Sequence, residues 1–236
     1  MRDEISLYYE QRGTGFPLIL LHGNNESHEY FAGQIEFFSH YYRVIAPDTR
    51  GHGRSPRGDA PFTIRQFADD LHDFMAEQGI GKAHILGFSD GGNIALCFAL
   101  KYPNMVSGLV LNGANLTPSG VKAVAQLPVE IGYRIARLFA GRSEAARAHA
   151  EMLGLMVNDP NIEASELNVI TAPTLVIVGD RDMIKPAHSR LIAGAIPGAK
   201  LCVVHGNHFV AGRNPEQFNR AVFEFLSGLS ATETQS

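Results

Sequence analysis

The sequence predicts a doubly wound α/β domain: a mostly parallel sheet of about seven strands carrying a small helical lid. Three observations predict it. Short aliphatic runs bounded by turn residues recur along the 236 residues. Their apolar positions are consecutive, not alternating, as in strands covered on both faces. Stretches of helical period separate them, the order that builds a parallel sheet. With 45% hydrophobic residues and 19% charged, the chain suits one globular domain with a sizeable core.

Taken in order, ISLYYEQRGTG (5–15) reads as an edge strand that turns through Gly13 and Gly15 into the first buried strand, LILL (18–21). RVIAPD (43–48) follows. TIRQFADDLHDFMAEQG opens on a threonine cap and spaces Ile64, Phe67, Leu71, Phe74 and Met75 at helical intervals before ending at Gly79. Next come HILG (84–87), a helix over NIALCFALKYP that stops before Pro103, and LVLNG (109–113). TLVIVG (174–179) and LCVVHG (201–206) are the last two strands. PEQFNRAVFEFLSG then puts Phe218, Val222, Phe225 and Leu226 on one helical stripe.

These elements form a core from residues 1–114 and 170–230. The polar residues 231–236 are expected to be a disordered tail. Residues 115–169 break the alternation with two helical patterns and no strand. Ile131, Ile135, Leu138 and Phe139 fall at i, i+4, i+7 and i+8, ending at Gly141. Ala148, Met152, Leu155 and Met156 repeat that spacing after Ser143. A helix pair inserted there would lie over the C-terminal edge of the strands, where open parallel sheets bind ligands. We read it as a lid; an ordinary crossover connection is the plainer alternative.

The net charge is -4, and the charge clusters mix both signs, so nothing marks a nucleic-acid partner. The start, MRDEISLYYE, is too polar for a signal peptide, and no apolar run approaches about 20 residues. A cytoplasmic protein without a membrane partner is expected. Cys97 and Cys202 each sit in apolar surroundings and read as lone buried thiols.

Gly87-Phe88-Ser89-Asp90-Gly91 fits G-x-S-x-G between a strand and a helix, the context in which a serine occupies a sharp, strained turn with its hydroxyl exposed. The motif alone also fits a structural turn. A serine hydroxyl needs a base to take its proton, and the base needs a carboxylate to orient it. In the order serine, acid, histidine, Gly179-Asp180-Arg181-Asp182 follows one later strand and Asn207-His208 follows the next. All three groups therefore leave the C-terminal ends of different strands.

Together RGTGFPLILLHGNN, APDTRGHGRS, GFSDGGN, VIVGDRDMIKP and HGNHF resemble the α/β-hydrolase fold superfamily over nearly the whole chain. Aspartate after the serine, in GFSDGG, is similar to the valacyclovir-hydrolase-like and small carboxylesterase branch. The first strand usual in that family has no counterpart, hence seven strands instead of eight. The resemblance implies Ser89 as nucleophile, Asp182 as acid with Asp180 the second choice, and His208 as base. His205 is read as structural. The H-x-x-H spacing of His205 and His208 also admits a metal, but no third ligand cluster supports one.

Acyl transfer requires donors aimed at a developing oxyanion. The resemblance implies the backbone N–H of Asp90 and one from His22-Gly23-Asn24-Asn25, with Asn24 the expected donor. Asn25 stays open as the alternative and as a substrate contact. His22 reads as a packed loop residue, and Asp48-Thr49-Arg50-Gly51-His52-Gly53 as structural. The side chain of Asp90 either faces the pocket and pairs with a cationic substrate group or turns aside to bond a neighbouring backbone N–H or arginine. Leu127, Val129, Ile131, Met152 and Met156 suggest a small apolar pocket; core packing explains the same stripe.

The leading expectation is a serine hydrolase that cleaves a small-molecule carboxylic ester through an acyl-serine intermediate, with no cofactor and no metal. Lactonase, thioesterase, carbon–carbon hydrolase, acyltransferase and cofactor-free perhydrolase are alternatives on the same residues, because a fold does not choose among them. Dehalogenases and epoxide hydrolases of this fold carry aspartate where Ser89 stands, and the chain has no Trp for a halide site. A non-catalytic binding protein on the same scaffold is the second class. A nucleotide-binding domain fails on motifs, since neither G-x-G-x-x-G nor G-x-x-x-x-G-K-[ST] is present.

Overall fold

The computed structural model describes residues 5–233. Seven strands run β1 (Tyr9–Arg12), β2 (Pro17–Leu21), β3 (Arg43–Pro47), β4 (Ala83–Phe88), β5 (Val106–Asn112), β6 (Thr174–Gly179) and β7 (Lys200–Val204). They form one sheet in the order β1-β3-β2-β4-β5-β6-β7. Every pairing is parallel except β1 on β3, where Tyr9 meets Pro47 and Arg12 meets Val44. All seven lie where the aliphatic runs predict them, and the expected edge strand is the antiparallel one.

The consecutive apolar residues have a direct structural reason. Successive side chains of a strand point to opposite faces. Ile19, Leu21, Ile45, Ile85, Leu109 and Leu111 join the core on one face. Leu18, Leu20, Val44, Leu86 and Val110 join the core on the other. The first face is covered by α2 (Ile64–Glu77) and α3 (Asp90–Lys101), through Phe67, Leu71 and Phe98 among others. The second is covered by α1 (Ala32–Phe38) and α8 (Pro215–Glu233), through Phe38, Phe218 and Val222. Thr63 caps α2 by accepting from Gln66 N, as its sequence predicts.

Between β5 and β6 the chain forms α4 (Ala123–Phe139) and α5 (Glu144–Asn158), with Ser143 capping α5. They pack closely where Gly132 lies against Leu153 and Gly154 against Tyr133. Then follow α6 (Pro186–Ala195), between β6 and β7, and the short α7 (Val210–Arg213). The sequence pattern predicts no helix over α1 or α6, which are short and carry few periodic apolar positions. Helix α8 runs through Glu233 and so takes in the first three residues of the segment expected as a disordered tail; 234–236 lie outside the described residues.

Candidate active site

Strand β4 ends at Phe88 and the chain turns sharply at Ser89, whose φ of 53 and ψ of -118 lie in a region that L-residues seldom enter. Such backbone costs about 1–3 kcal/mol and persists only where its surroundings hold it. Here Ser89 N donates to Asn112 O at the end of β5 (2.8 Å), and Asn93 N donates to Ser89 O to open α3 (3.1 Å). The turn also requires Gly87 and Gly91. A Cβ on Gly87 would strike the backbone of Gly91, and one on Gly91 would strike the backbone of Leu21.

Ser89 Oγ lies 3.0 Å from His208 Nε2. On the far side of the ring, Nδ1 lies 2.7 Å from Asp182 Oδ1. A carboxylate can only accept, so Nδ1 carries the proton and Nε2 is left as an acceptor facing the hydroxyl. His208 and Asp182 are buried, at 4% and 3% exposure, and the ring of Phe88 lies 4.9 Å from that of His208. Asp182 Oδ1 also accepts from Ile184 N (2.9 Å), which fixes the carboxylate independently of the histidine. Residues distant in the chain converge because β4, β5, β6 and β7 are successive neighbours and all point the same way.

Asp180 and His205 form a different pair. His205 Nδ1 lies 2.9 Å from Asp180 Oδ2, Gly206 N donates to Asp180 Oδ1 (3.0 Å), and both residues are exposed. A cavity of about 620 Å³ opens beside them, lined by Arg181, His205, Gly206, Asn207, Arg213 and Asn214. It includes none of Ser89, Asp182 and His208. Among the described residues no group of three or more His, Cys, Asp or Glu is arranged to hold a metal ion.

On the other side of Ser89, Asn24 bridges two elements. Its Nδ2 donates to Asp90 Oδ2 (2.9 Å) and to the carbonyl of Met152 in α5 (2.9 Å). Asp90 Oδ1 accepts from Asn93 Nδ2 (3.3 Å). Both carboxylate oxygens are thus occupied by amides on a buried residue. Its partners are two asparagine side chains, not a backbone N–H or an arginine. Burial pushes its carboxyl up to about 6, against the two amide bonds, which pull the other way.

The sign of that shift gives a test. A carboxyl whose native pKa is raised binds more protons folded than unfolded, so its contribution favours the fold at low pH and fades as pH rises from about 4 to about 6. Asp90→Asn should remove that slope, on the order of 2–3 kcal/mol across the window, in urea melts followed from pH 4 to pH 7. An unchanged pH dependence in the variant would contradict it.

The other predicted residues are placed as follows. Asn25 is exposed, with a left-handed φ of 58. Met152 and Met156 are half-buried on α5, and their carbonyls accept from Asn24 and Gln126. Leu127 is a correction. It stands 57% exposed on the outer stripe of α4 with Ile131, and the face of α4 turned inward carries Gln126. His22 is packed, with Nδ1 at Gly23 O (2.7 Å) and Nε2 accepting from Thr49 N (3.0 Å); burial and His52 push it down to about 4. Asp48 accepts from the backbone of His28 and Arg54, and Arg50 pairs with Asp70 in the interior, both ordering that loop.

One group near the site was missed. Glu26 Oε2 accepts from Gly23 N (3.3 Å), and burial pushes its carboxyl up to about 7 even though Gly23 and His208 pull it down. Close by, Tyr30 stacks on Phe88 at 4.3 Å, and its buried hydroxyl has no hydrogen-bond partner among the described residues. A single acid in a loop has no periodicity to betray it.

A family model described as alpha/beta hydrolase fold matches residues 17–151, more than half of the chain. The protein belongs to the α/β-hydrolase fold family. Its relatives include RutD of Caulobacter sp. (strain K31), to which a carbamate hydrolase activity is ascribed, 30% identical over 95% of this chain and 97% of RutD. A thermophilic esterase from Thermogutta terrifontis superposes with a TM-score of 0.77 at 28% identity, covering 95% of this chain and 94% of that one. The meta-cleavage product hydrolase CumD of Pseudomonas fluorescens IP01 gives 0.76 at 27%, covering 95% of each. Family and relatives support a hydrolytic enzyme of the α/β-hydrolase fold. No described helix is long and apolar enough to cross a membrane.

Proposed function

We propose that the protein is a serine hydrolase that cleaves a small carboxylic ester through an acyl-serine intermediate. The observation that carries this reading is the unbroken relay from Ser89 Oγ through His208 to Asp182, at 3.0 and 2.7 Å, on a strained turn. Ser89 Oγ attacks the acyl carbon while its proton passes to His208 Nε2. Asp182 holds the imidazolium through Nδ1–H. The backbone N–H groups of Asp90 and Asn24 receive the oxyanion, and among the described residues neither donates to a backbone acceptor. His208 then protonates the leaving alkoxide as the carbon–oxygen bond breaks. Water, deprotonated by the same nitrogen, attacks the acyl-serine; the acyl–Oγ bond breaks, His208 returns the proton to Ser89 Oγ, and the acid is released.

In this reading Asp90 positions rather than binds. Its carboxylate holds the side chain of Asn24, whose backbone is the second oxyanion donor, and Asn24 in turn ties that loop to α5. Helices α4 and α5 would then act as the lid. Carbamate hydrolysis is a second reading, favoured by the 30% identity to RutD. It uses the same steps, with a carbamoyl group on Ser89 in place of an acyl group.

Labelling with a fluorophosphonate, followed by turnover of a panel of p-nitrophenyl esters, lactones, thioesters and carbamates, separates these readings. Labelling of Ser89 with fastest turnover of short esters is the expected result. Preference for carbamates would favour the second reading. Absence of both labelling and turnover would overturn the hydrolase assignment.

A further inference from the structure

The cavity of about 620 Å³ at the ends of β6 and β7 has no part in the relay of Ser89, Asp182 and His208. The loop after β6 supplies Arg181 to its wall, and the loop after β7 supplies His205, Gly206 and Asn207. Arg213 at the end of α7 and Asn214 complete it. No carboxylate lines it among the described residues. Its volume falls within the range of small-molecule sites, about 300–1,000 Å³.

The acids close to these residues in the chain are already engaged. Asp180 Oδ1 accepts from Gly206 N (3.0 Å), and its Oδ2 lies 2.9 Å from His205 Nδ1. Arg181 Nη2 lies 3.3 Å from His205 Nε2. A guanidinium only donates, so Nε2 accepts and Nδ1 carries its proton toward Asp180. Glu216, the next acid after Arg213, pairs with Arg220 at 2.9 Å. Arg213 itself takes part in no ion pair and no side-chain hydrogen bond among the described residues.

What the cavity leaves unmatched is donor capacity carrying positive charge. The Arg213 guanidinium is free, and Arg181 has N–H groups beyond the one turned to His205. Asn207 Oδ1 accepts from Phe209 N (3.1 Å), which leaves its NH₂ unused. Guanidinium forks and an amide donor together suit a group with several charged acceptor oxygens. Asn214 adds one complementary feature. Its Nδ2 donates to His205 O (3.0 Å) and Gln217 Oε1 (2.8 Å), so its Oδ1 remains to accept from a ligand hydroxyl.

We propose that this cavity binds a small hydroxylated organic anion, its phosphate or carboxylate group held by Arg181, Arg213 and the Asn207 amide. A bare ion would leave most of the volume and the Asn214 oxygen unused. Arg181 and Asn207 directly precede Asp182 and His208 in the chain, so the ligand would sit behind the loops that carry the acid and the base. The proposal is independent of the hydrolase chemistry.

Isothermal titration calorimetry of the full chain with glycerol 3-phosphate, citrate and uncharged glycerol tests it. The expected result is saturable binding of at least one of the two anions and none of glycerol. The tighter anion assigns the head group as phosphate or carboxylate. Arg213→Gln and Arg181→Gln should each weaken that binding by about tenfold or more, since each removes charge-assisted hydrogen bonds. Both arginines are exposed, and circular dichroism reports whether each variant keeps its fold. No binding of either anion at millimolar concentration overturns the proposal. So does an affinity indifferent to both substitutions, which would place the anion elsewhere. Glycerol binding as tightly as the anions would show that the guanidinium groups recognise nothing, and overturns it equally.

Discussion

Ser89→Ala should lower kcat/KM for a short aryl ester by about 10⁴-fold or more and leave the protein folded, since removing the nucleophile of such a relay eliminates the acyl-enzyme route. The variant keeps its Cβ, so the strained turn at φ 53 persists and Tm should hardly move. Ser89→Gly separates chemistry from architecture. It removes the same hydroxyl, but a residue without Cβ enters this backbone region without strain. Relief of about 1–3 kcal/mol, less the about 0.5–1 kcal/mol of extra chain entropy that glycine loses on folding, leaves a net gain on the order of 1 kcal/mol. An inactive protein with a raised Tm would show that the turn is held under strain for the sake of its hydroxyl. Burst kinetics surviving in Ser89→Ala would mean that another group attacks the ester.

Much of the fold was legible because strand residues alternate between two cores. Leu18 and Leu20 serve one face and Ile19 and Leu21 the other, so a buried parallel strand must be apolar at every position. The strand ends were equally legible, and with them the places where Ser89, Asp182 and His208 leave the sheet. What failed depends on tertiary context. The stripe of α4 is a true amphipathic signal, but periodicity identifies an apolar face without saying which side of the molecule it looks toward. Leu127 therefore reads as pocket lining and stands in the open. Glu26 has the opposite problem. It looks like any solvated loop acid, and only the folded loop buries it against Gly23. The two carboxylates near the histidines were ambiguous for a related reason: two residues of spacing in a loop do not say which will turn inward.

That ambiguity supplies the second large effect. Asp182→Asn should reduce kcat about 10⁴-fold with the fold intact. The carboxylate fixes the tautomer of His208 by accepting from Nδ1–H at 2.7 Å. The amide nitrogen of asparagine favours the ring with its proton on Nε2, and that nitrogen can no longer accept from Ser89 Oγ. Ile184 N, the other donor to the same oxygen, holds residue 182 in place. Asp180→Asn is the control. It perturbs an exposed contact with His205 and Gly206 and should change ester turnover by no more than a few-fold. The two variants differ by two positions in one loop, so a difference of several orders of magnitude between them can only come from which carboxylate faces the imidazole. Equal losses would mean that loop integrity is being measured, and a greater loss at 180 would move the acid's role to that residue.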